Sequence, residues 1–429
     1  MFTACRIIGA VATLLLLPVH AVSAQASLSL SAAVEQARQQ HPRIDVALAA
    51  QEAATSRMEQ AGKWANPHVL VYQENFPGTM PDIDQTIISV TQRIRIGGQL
   101  GLAKTSARAL RDAAIADVHM TVEQLSFSVQ RTYADLYRIQ QSLGALDDAQ
   151  RTVDRLLRDL DARVREGDAS RFDLLRMRLA GDEVRADQAH LRAEQVAGWE
   201  RLAFLIGRVV PDAGWILENP VGTTYGPPAL EESPTLMAAI SPLSAAPGEL
   251  EQAVDNRFDA QAMAFRRQAA TARAEAVGKE AIPDLVATLG YTRLDPVFNG
   301  LVWSIGVDIP LFDSKGDAKA AQLAEARRLD REYEALLQEA NSEVRAARAE
   351  FAQLAEVLTE LQQRTEPGEL LPIAMIAYEE GELTVTGLLD AARAQLDARL
   401  RELELAQAMA FAWYRWRYAS GRYVGGTRP

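Results

Sequence analysis

The 429-residue chain carries one cysteine, five histidines and, beyond its first 25 residues, no run of about 18 apolar residues. Each scarcity excludes something. Cys5 precedes the apolar run "IIGAVATLLLLPV", so disulfides, thiolate metal sites and a lipid-bearing cysteine at a cleavage site are not expected. The run leads into "HAVSAQA", with small residues Val22 and Ala24 at a cleavage position, and 1–24 therefore reads as a secretory signal peptide. The alternative, a retained signal anchor, asks for a longer span. His41, His68, His119 and His190 have no metal-ligand spacing and the methionines after Met1 are scattered, so neither a metal cluster nor a cofactor is expected. Any further membrane crossing would have to be a β-barrel. Positive charge is also in deficit: 45 Lys and Arg face 57 Asp and Glu, a net charge of −12, or −13 once Arg6 leaves with the leader. That balance argues against a nucleic-acid partner and suits solubility or a cation-favouring interior. No Gly-x-Ser-x-Gly, zinc-protease or dinucleotide motif is found, so no enzyme and no catalytic residue is expected.

What the chain has is alanine, leucine, arginine and glutamate, at 48% hydrophobic and 24% charged, a mixture for long helices around a large core. It also repeats itself. "AATSRMEQAGKWANPHV" from Ala53 aligns without gaps on "AATARAEAVGKEAIPDL" from Ala269, with Gly62-Lys63 over Gly278-Lys279 and Pro67 over Pro283. Each copy predicts a helix of about 30 residues ending at that proline, two strands, a very long helix, a glycine turn and a shorter helix. The repeats span 25–208 and 249–421, joined by an irregular connector over 209–248 and followed by a tail over 422–429. The period is domain-sized, far longer than a solenoid repeat.

The hairpins are predicted over 66–96 and 283–312. Ile88, Val90, Ile94 and Ile96 alternate with Ser89, Thr91, Arg93 and Arg95, and only Gln92 breaks the pattern. Leu301, Trp303, Ile305, Val307, Ile309 and Leu311 alternate with Ser304, Gly306 and Asp308, and Leu285, Ala287, Leu289 and Tyr291 share one face. The first strand, "NPHVLVYQENF", alternates poorly. Ten-residue strands with one greasy face suit a membrane barrel, but four cannot close one, because about eight is the minimum. Either they cap a soluble core or several chains join.

A seam of alternating four- and three-residue steps runs from Val118 through Leu125, Leu136, Leu146 and Leu160 to Val164, with only Thr132 and Gln150 polar. It predicts a helix from about Leu100 to Arg165, roughly 100 Å long. A second is predicted from Ala318 to Thr365, followed by interruptions at Pro367 and Pro372. Where strand hands over to helix, "GQLGLAKT" falls one residue short of a phosphate-binding loop, with Ala103 in place of its second glycine. A nucleotide hydrolase would be cytoplasmic, which conflicts with the leader, and the second copy, "DIPLFDSKGDAKAA", has no such spacing.

"NPHVLVYQENF" with "ISVTQRIRIGGQ", "SIGVDIPLFDSKGDAKAAQLAEA" and "LLPIAMIAYEEGELTVTGLLDAARAQLDA", together with the duplication, resemble the TolC-type outer-membrane efflux proteins, and within them the heavy-metal (cobalt-zinc-cadmium type) branch of resistance-nodulation-division systems. The resemblance implies a mainly α fold with four strands per chain in a shared twelve-stranded trimeric outer-membrane β-barrel above a long coiled-coil α-barrel. It implies a passive export duct in the outer membrane with a long periplasmic extension, conducting heavy-metal cations. Its partners would be two further copies, a periplasmic adaptor (membrane fusion) protein, an inner-membrane resistance-nodulation-division pump and outer-membrane lipid. The competing reading is a secreted or periplasmic coiled-coil structural protein with a soluble β cap.

On that resemblance, "VREGDASRFDLLR" and "YEEGELTVTGLLD" form the periplasmic tip. Gly167, Asp168, Ser170, Gly381, Glu382 and Thr384 are its adaptor-contacting candidates; the same residues also read as plain helix caps. Asp173 and Asp390, each beside a Leu-Leu pair, with Arg176, Arg178 and Arg393 nearby, are candidates for a charged constriction, since carboxylate rings attract cations and arginine can bridge them shut. Gly97 and Gly98 would form a β-to-α hinge, leaving Lys104 a helix-surface charge. "FAWYRWRY" reads as the aromatic, basic end of the last helix at the membrane interface rather than a nucleic-acid stacking strip.

Overall fold

A computed structural model describes residues 27–78, 83–211, 214–229, 255–295, 297–309, 313, 315–364 and 370–423. The leader over 1–24, most of the connector, Leu311, Pro367 and the tail beyond 423 lie outside the described residues.

In chain order the elements are β1 (Ser27–Leu28), α1 (Leu30–Gln40), α2 (Pro42–Ala61), β2 (His68–Phe76), β3 (Ile83–Ile94), α3 (Gln99–Glu166), α4 (Arg171–Ile206), β4 (Ile216–Leu217), α5 (Phe258–Lys279), β5 (Asp284–Asp295), β6 (Phe298–Asp308), α6 (Gly316–Arg364), α7 (Leu370–Glu379) and α8 (Val385–Ala419). The fold is mainly helical. The first repeat's opening helix is two, because Pro42 cannot donate to the turn before it and instead starts α2, with His41 Nδ1 accepting from Arg43 N at 3.1 Å. Pro372 sits in the first turn of α7, where a missing N–H costs nothing.

The strands form one antiparallel sheet in the order β2-β3-β5-β6. Its two hairpins come from different repeats, joined through β3 and β5. The helices continue the layout: α3 packs on α2 and α5 near the sheet and on α4 and α8 farther away, while α6 packs on α5 and then α8.

Of the coiled-coil seam, Val118, Leu125, Val129, Leu136, Ile139, Leu143, Leu146, Val153 and Leu160 are buried. Toward the tip the buried position shifts to Leu156, leaving Leu157 half-buried. That drift is the ordinary slip of a 3.6-residue helix against a 3.5-residue seam. α3 has 68 residues, about 100 Å at 1.5 Å per residue, whereas α4 and α8 have 36 and 35 and stop about halfway along it.

At that half-way level lies the main core. The Tyr133 hydroxyl of α3 shares its one hydrogen between Leu28 O (2.7 Å) and Glu218 O (2.8 Å), tying it to the parallel β1–β4 pair. Trp199, Leu202, Trp215, Ala410 and Tyr414 complete the cluster. The "FAWYRWRY" strip belongs here and to an adjoining cluster around Phe351, with Tyr414 1% exposed in the first and Trp416 6% in the second. The membrane-interface expectation is therefore corrected: α8 is too short to reach the sheet, and its aromatic end fills the middle of the molecule.

Candidate functional site

Antiparallel register puts directly paired residues on one face. One face carries the rows Val71–Ile88–Tyr291–Leu301, Val69–Val90–Leu289–Trp303, Gln92–Ala287–Ile305 and Ile94–Leu285–Val307. Most of these side chains stand in the open, with Leu301 77% and Trp303 72% exposed, while Gln92, Ile94, Leu285 and Ala287 are half-buried. At one end the apolar rows stop at Gln73–Thr86–Arg293–Asn299; at the other, Ile96 and Ile309 extend them. From residue 88 to 96 is about 26 Å along the strand, the scale of a bilayer's apolar band. Gln92, which breaks the alternation, turns its Nε2 back to Ala65 O at 2.9 Å and Arg93 O at 3.0 Å. The weak alternation of β2 has its counterpart in exposure: Val69 to Tyr72 are all exposed, as on a sheet edge with one neighbour.

The opposite face is mixed: Ser89 and Gly290 are paired, Thr91 and Thr288 touch through their Oγ1 atoms at 3.0 Å and Ser304 continues the row, but Leu70, Tyr72, Ile87, Val286 and Val302 lie on it as well. At its helix-side end Arg93 reaches Asp308 (3.2 Å) and Asp284 (3.8 Å), cross-linking three strands.

The strand-to-helix joint is duplicated but not identical. Gly98 caps α3 with φ +81°, a region that L side chains avoid; Gly97 is not left-handed. In the second copy the residue before the helix is Lys315 at φ +61°, held by Asp313, whose carboxylate accepts from Lys315 N (3.0 Å) and Nζ (2.5 Å). Lys104 lies across Gly62, where a Cβ would come within 3.1 Å of its stem, and Lys319 lies across Gly278 at 3.0 Å. The glycines shared by the two repeats thus make room for a lysine from the adjoining long helix, and the near-miss phosphate loop is part of this packing.

At the far end both turns use the same device. Gly167 (φ +87°) ends α3, with Asp168 N donating to Arg163 O at 2.8 Å; Gly381 (φ +81°) ends α7, with Glu382 N donating to Ala377 O at 2.8 Å. Three residues on, Ser170 Oγ accepts from Phe172 N and Thr384 Oγ1 from Gly387 N, so both hydroxyls cap the next helix. Asp168 and Glu382 are exposed. Leu160, Leu174, Met177, Leu388 and Leu389 pack beneath.

Counted from these caps, Asp173 is the third residue and Asp390 the sixth, one helical turn apart in depth, so the two are not at equivalent positions. Asp173 lies in the first turn of α4, where the helix dipole favours a carboxylate. Among the described residues the three arginines make no ion pair with either aspartate. Arg176 Nη1 donates to Thr386 Oγ1 at 2.8 Å, Arg393 pairs with Glu183 at 2.5 Å, and Arg178 lies 3.6 Å from Asp161. Two thus lace α4 to α8 and the third laces α4 to α3. The Arg165 guanidinium hydrogen-bonded to Asp161 holds that carboxyl below its usual range. Sequence reasoning missed the contact of Arg163 with Tyr378, 3.2 Å between Nη1 and the hydroxyl with the guanidinium over the ring. Its signal was that both stand three or four residues before a tip glycine.

At mid-height Arg38 of α1 pairs with Glu123 of α3 at 2.7 Å, beside Arg417 of α8. Burial pushes the Glu123 carboxyl up to about 7 against the opposing pull of Arg38 and Arg417. Among the described residues no group of three or more His, Cys, Asp or Glu could hold a metal ion, and no helix is long and apolar enough to cross a membrane.

This layout has close parallels. The outer-membrane channel OprN aligns with TM-score 0.74 at 20% identity, over 93% of this chain and 91% of that one. CusC, a transmembrane channel, aligns at 0.72 and 15%, over 92% of each. The fold is that of the outer-membrane channels. The outer membrane protein VceC of Vibrio cholerae shares it, at 0.71 and 18% over 91% of this chain and 96% of that one. In sequence, residues 250–422, essentially the second repeat, match the family model described as outer membrane efflux protein. No curated protein matches the chain. The two capped turns lie at the end of the long helices opposite the sheet.

Proposed function

We propose that the chain is one subunit of a trimeric outer-membrane efflux duct, which passively conducts cargo from a periplasmic adaptor and an inner-membrane pump of the resistance-nodulation-division type to the outside. The observation that carries this reading is a four-stranded sheet with an exposed apolar face and, among the described residues, no partner on either edge strand, β2 or β6, standing on helices up to about 100 Å long. Unpaired edges of complementary direction close a ring when copies repeat head to tail, and three copies give twelve strands. Nothing in such a duct needs to make or break a bond. A soluble cap would leave the apolar rows in water.

In this reading Gly167, Asp168, Ser170, Gly381, Glu382 and Thr384 form the adaptor-facing tip, with Asp168 and Glu382 as the groups left over from capping. Asp173 and Asp390 line successive turns of a constriction, and Arg176, Arg178 and Arg393 set its helix spacing. The cargo is heavy-metal cations, supported by the sequence resemblance to that branch and by the acidic balance of the chain. Fractionation and detergent extraction should give a heat-modifiable outer-membrane trimer; a soluble monomer would refute the duct. Deleting the gene should lower tolerance to cobalt, zinc or cadmium, and sensitivity to organic toxicants alone would refute the metal assignment.

A further inference from the structure

The chain contains 40 arginines but only five lysines, Lys63, Lys104, Lys279, Lys315 and Lys319. All five fall at one level. Lys63 lies between α2 and β2, Lys279 is the last residue of α5, Lys315 comes just before α6, and Lys104 and Lys319 stand in the opening turns of α3 and α6. That level adjoins the end of the apolar rows marked by Ile94, Ile96, Val307 and Ile309. Lys315 is paired with Asp313, but Lys63, Lys104, Lys279 and Lys319 are exposed and have no ion pair among the described residues. Many arginines farther along the helices are paired, for example Arg151, Arg185, Arg331 and Arg401. The carboxylates nearest in sequence to the four lysines are Glu280 and Asp317; Asp284 and Asp308 are taken by Arg93. In a chain of net charge −12 the belt is therefore locally positive. Trp64, 59% exposed beside Lys63, adds an aromatic of the kind that sits at a bilayer interface.

We propose that these four lysines form a belt that binds the headgroups of anionic phospholipids in the bilayer leaflet on the helix side of the barrel. The proposal rests on the membrane placement of the barrel given above. The chemistry explains the residue choice. Arginine's rigid fork suits fixed partners such as the carboxylates along the helices, whereas lysine is a point charge on a flexible stem that can follow a mobile phosphodiester while its methylenes lie along apolar surface. The glycines beneath Lys104 and Lys319 fit that arrangement, because they leave space for the stems. Charge complementarity and continuity with the apolar band both select a lipid as the occupant.

The test uses the full-length trimer in nanodiscs of phosphatidylcholine with a minority of phosphatidylglycerol, and native mass spectrometry of the lipids it retains. Wild type should enrich phosphatidylglycerol, and the K63Q/K104Q/K279Q/K319Q variant should lose that enrichment, by about fivefold for each lysine engaged. The equally charged variant R151Q/R185Q/R331Q/R401Q should keep it. Equal enrichment in the lysine variant, or equal loss in the arginine variant, would overturn the belt. So would a change in the channel's cation-to-anion permeability with lipid enrichment unmoved, which would place the lysines on the lumen. If the lysine variant does not assemble, wild type alone decides: its enrichment must fall steeply as salt rises. The heat-modifiable trimer band is read on the same samples, so absence of a trimer counts against the duct, and a trimer that does not select lipid counts against the belt alone.

Discussion

Lys315 holds φ +61° at the position where the first repeat has Gly98 at +81°. The backbone at the joint is thus set by geometry rather than by residue type, and Asp313 compensates by clasping the lysine's own N–H and ammonium. Gly98 has no such clasp, so Gly98→Ala should cost about 1 kcal/mol or more and lower the dissociation temperature of the proposed trimer on heating. Lys315→Gly should raise it or leave it unchanged, since the exposed ion pair it removes is worth little. Arg257 is a different case. Its side chain is 6% exposed and joins Asp259 (2.8 Å), Glu343 (2.7 Å) and the carbonyl of Ala419 (3.4 Å), linking α5, α6 and the end of α8. Arg257→Ala leaves those acceptors short of a partner and should cost about 3 kcal/mol, measured by denaturant unfolding of the folded helical part.

Helices and turns were largely legible in the sequence, for physical reasons that also mark where reading stopped. A seam from Val118 to Val164 has one geometric solution, so the predicted Leu100–Arg165 became Gln99–Glu166. The tip glycines and the hydroxyls three residues later announce themselves, because few residue types tolerate those positions. Periodicity gives length but not the height at which an antiparallel helix ends against its neighbour, which is why the aromatic end of α8 was misplaced. The constriction arginines show a related limit within one chain. Nearness in sequence to Asp173 or Asp390 says nothing of rotation about the helix, and Arg176 and Arg393 turn toward the neighbouring helix instead. At this scale the buried Glu123 makes a pH prediction. Its carboxyl is raised to about 7 in the folded chain, so its contribution to stability is complete below the ordinary glutamate range and is lost as pH rises through 7. Glu123→Gln should flatten the fall in unfolding temperature between pH 5 and pH 8; an unchanged slope would remove Glu123 as its source.

For the molecule as a whole, the two sheet faces make opposite demands on substitution. Trp303→Asp places a charge in the exposed apolar row and should reduce recovery of the proposed membrane trimer, at a cost of under about 2 kcal/mol per chain. Ser304→Asp, one residue along on the opposite face, which lines the lumen in the proposed duct, should leave trimer yield near wild type and act on conduction instead. Equal loss of trimer from both would mean that neither face meets lipid.

The two unpaired sheet edges also bear on inheritance. In a head-to-tail ring each copy offers β6 to one neighbour and β2 to the other, so an allele damaged at β2 alone can still dock through β6 and block the next arrival. Expressed equally beside the intact allele, such a copy would leave only about one ring in eight wholly intact under random mixing. A lesion of the β2 edge should therefore be dominant in a merodiploid, whereas loss of the whole gene should be recessive.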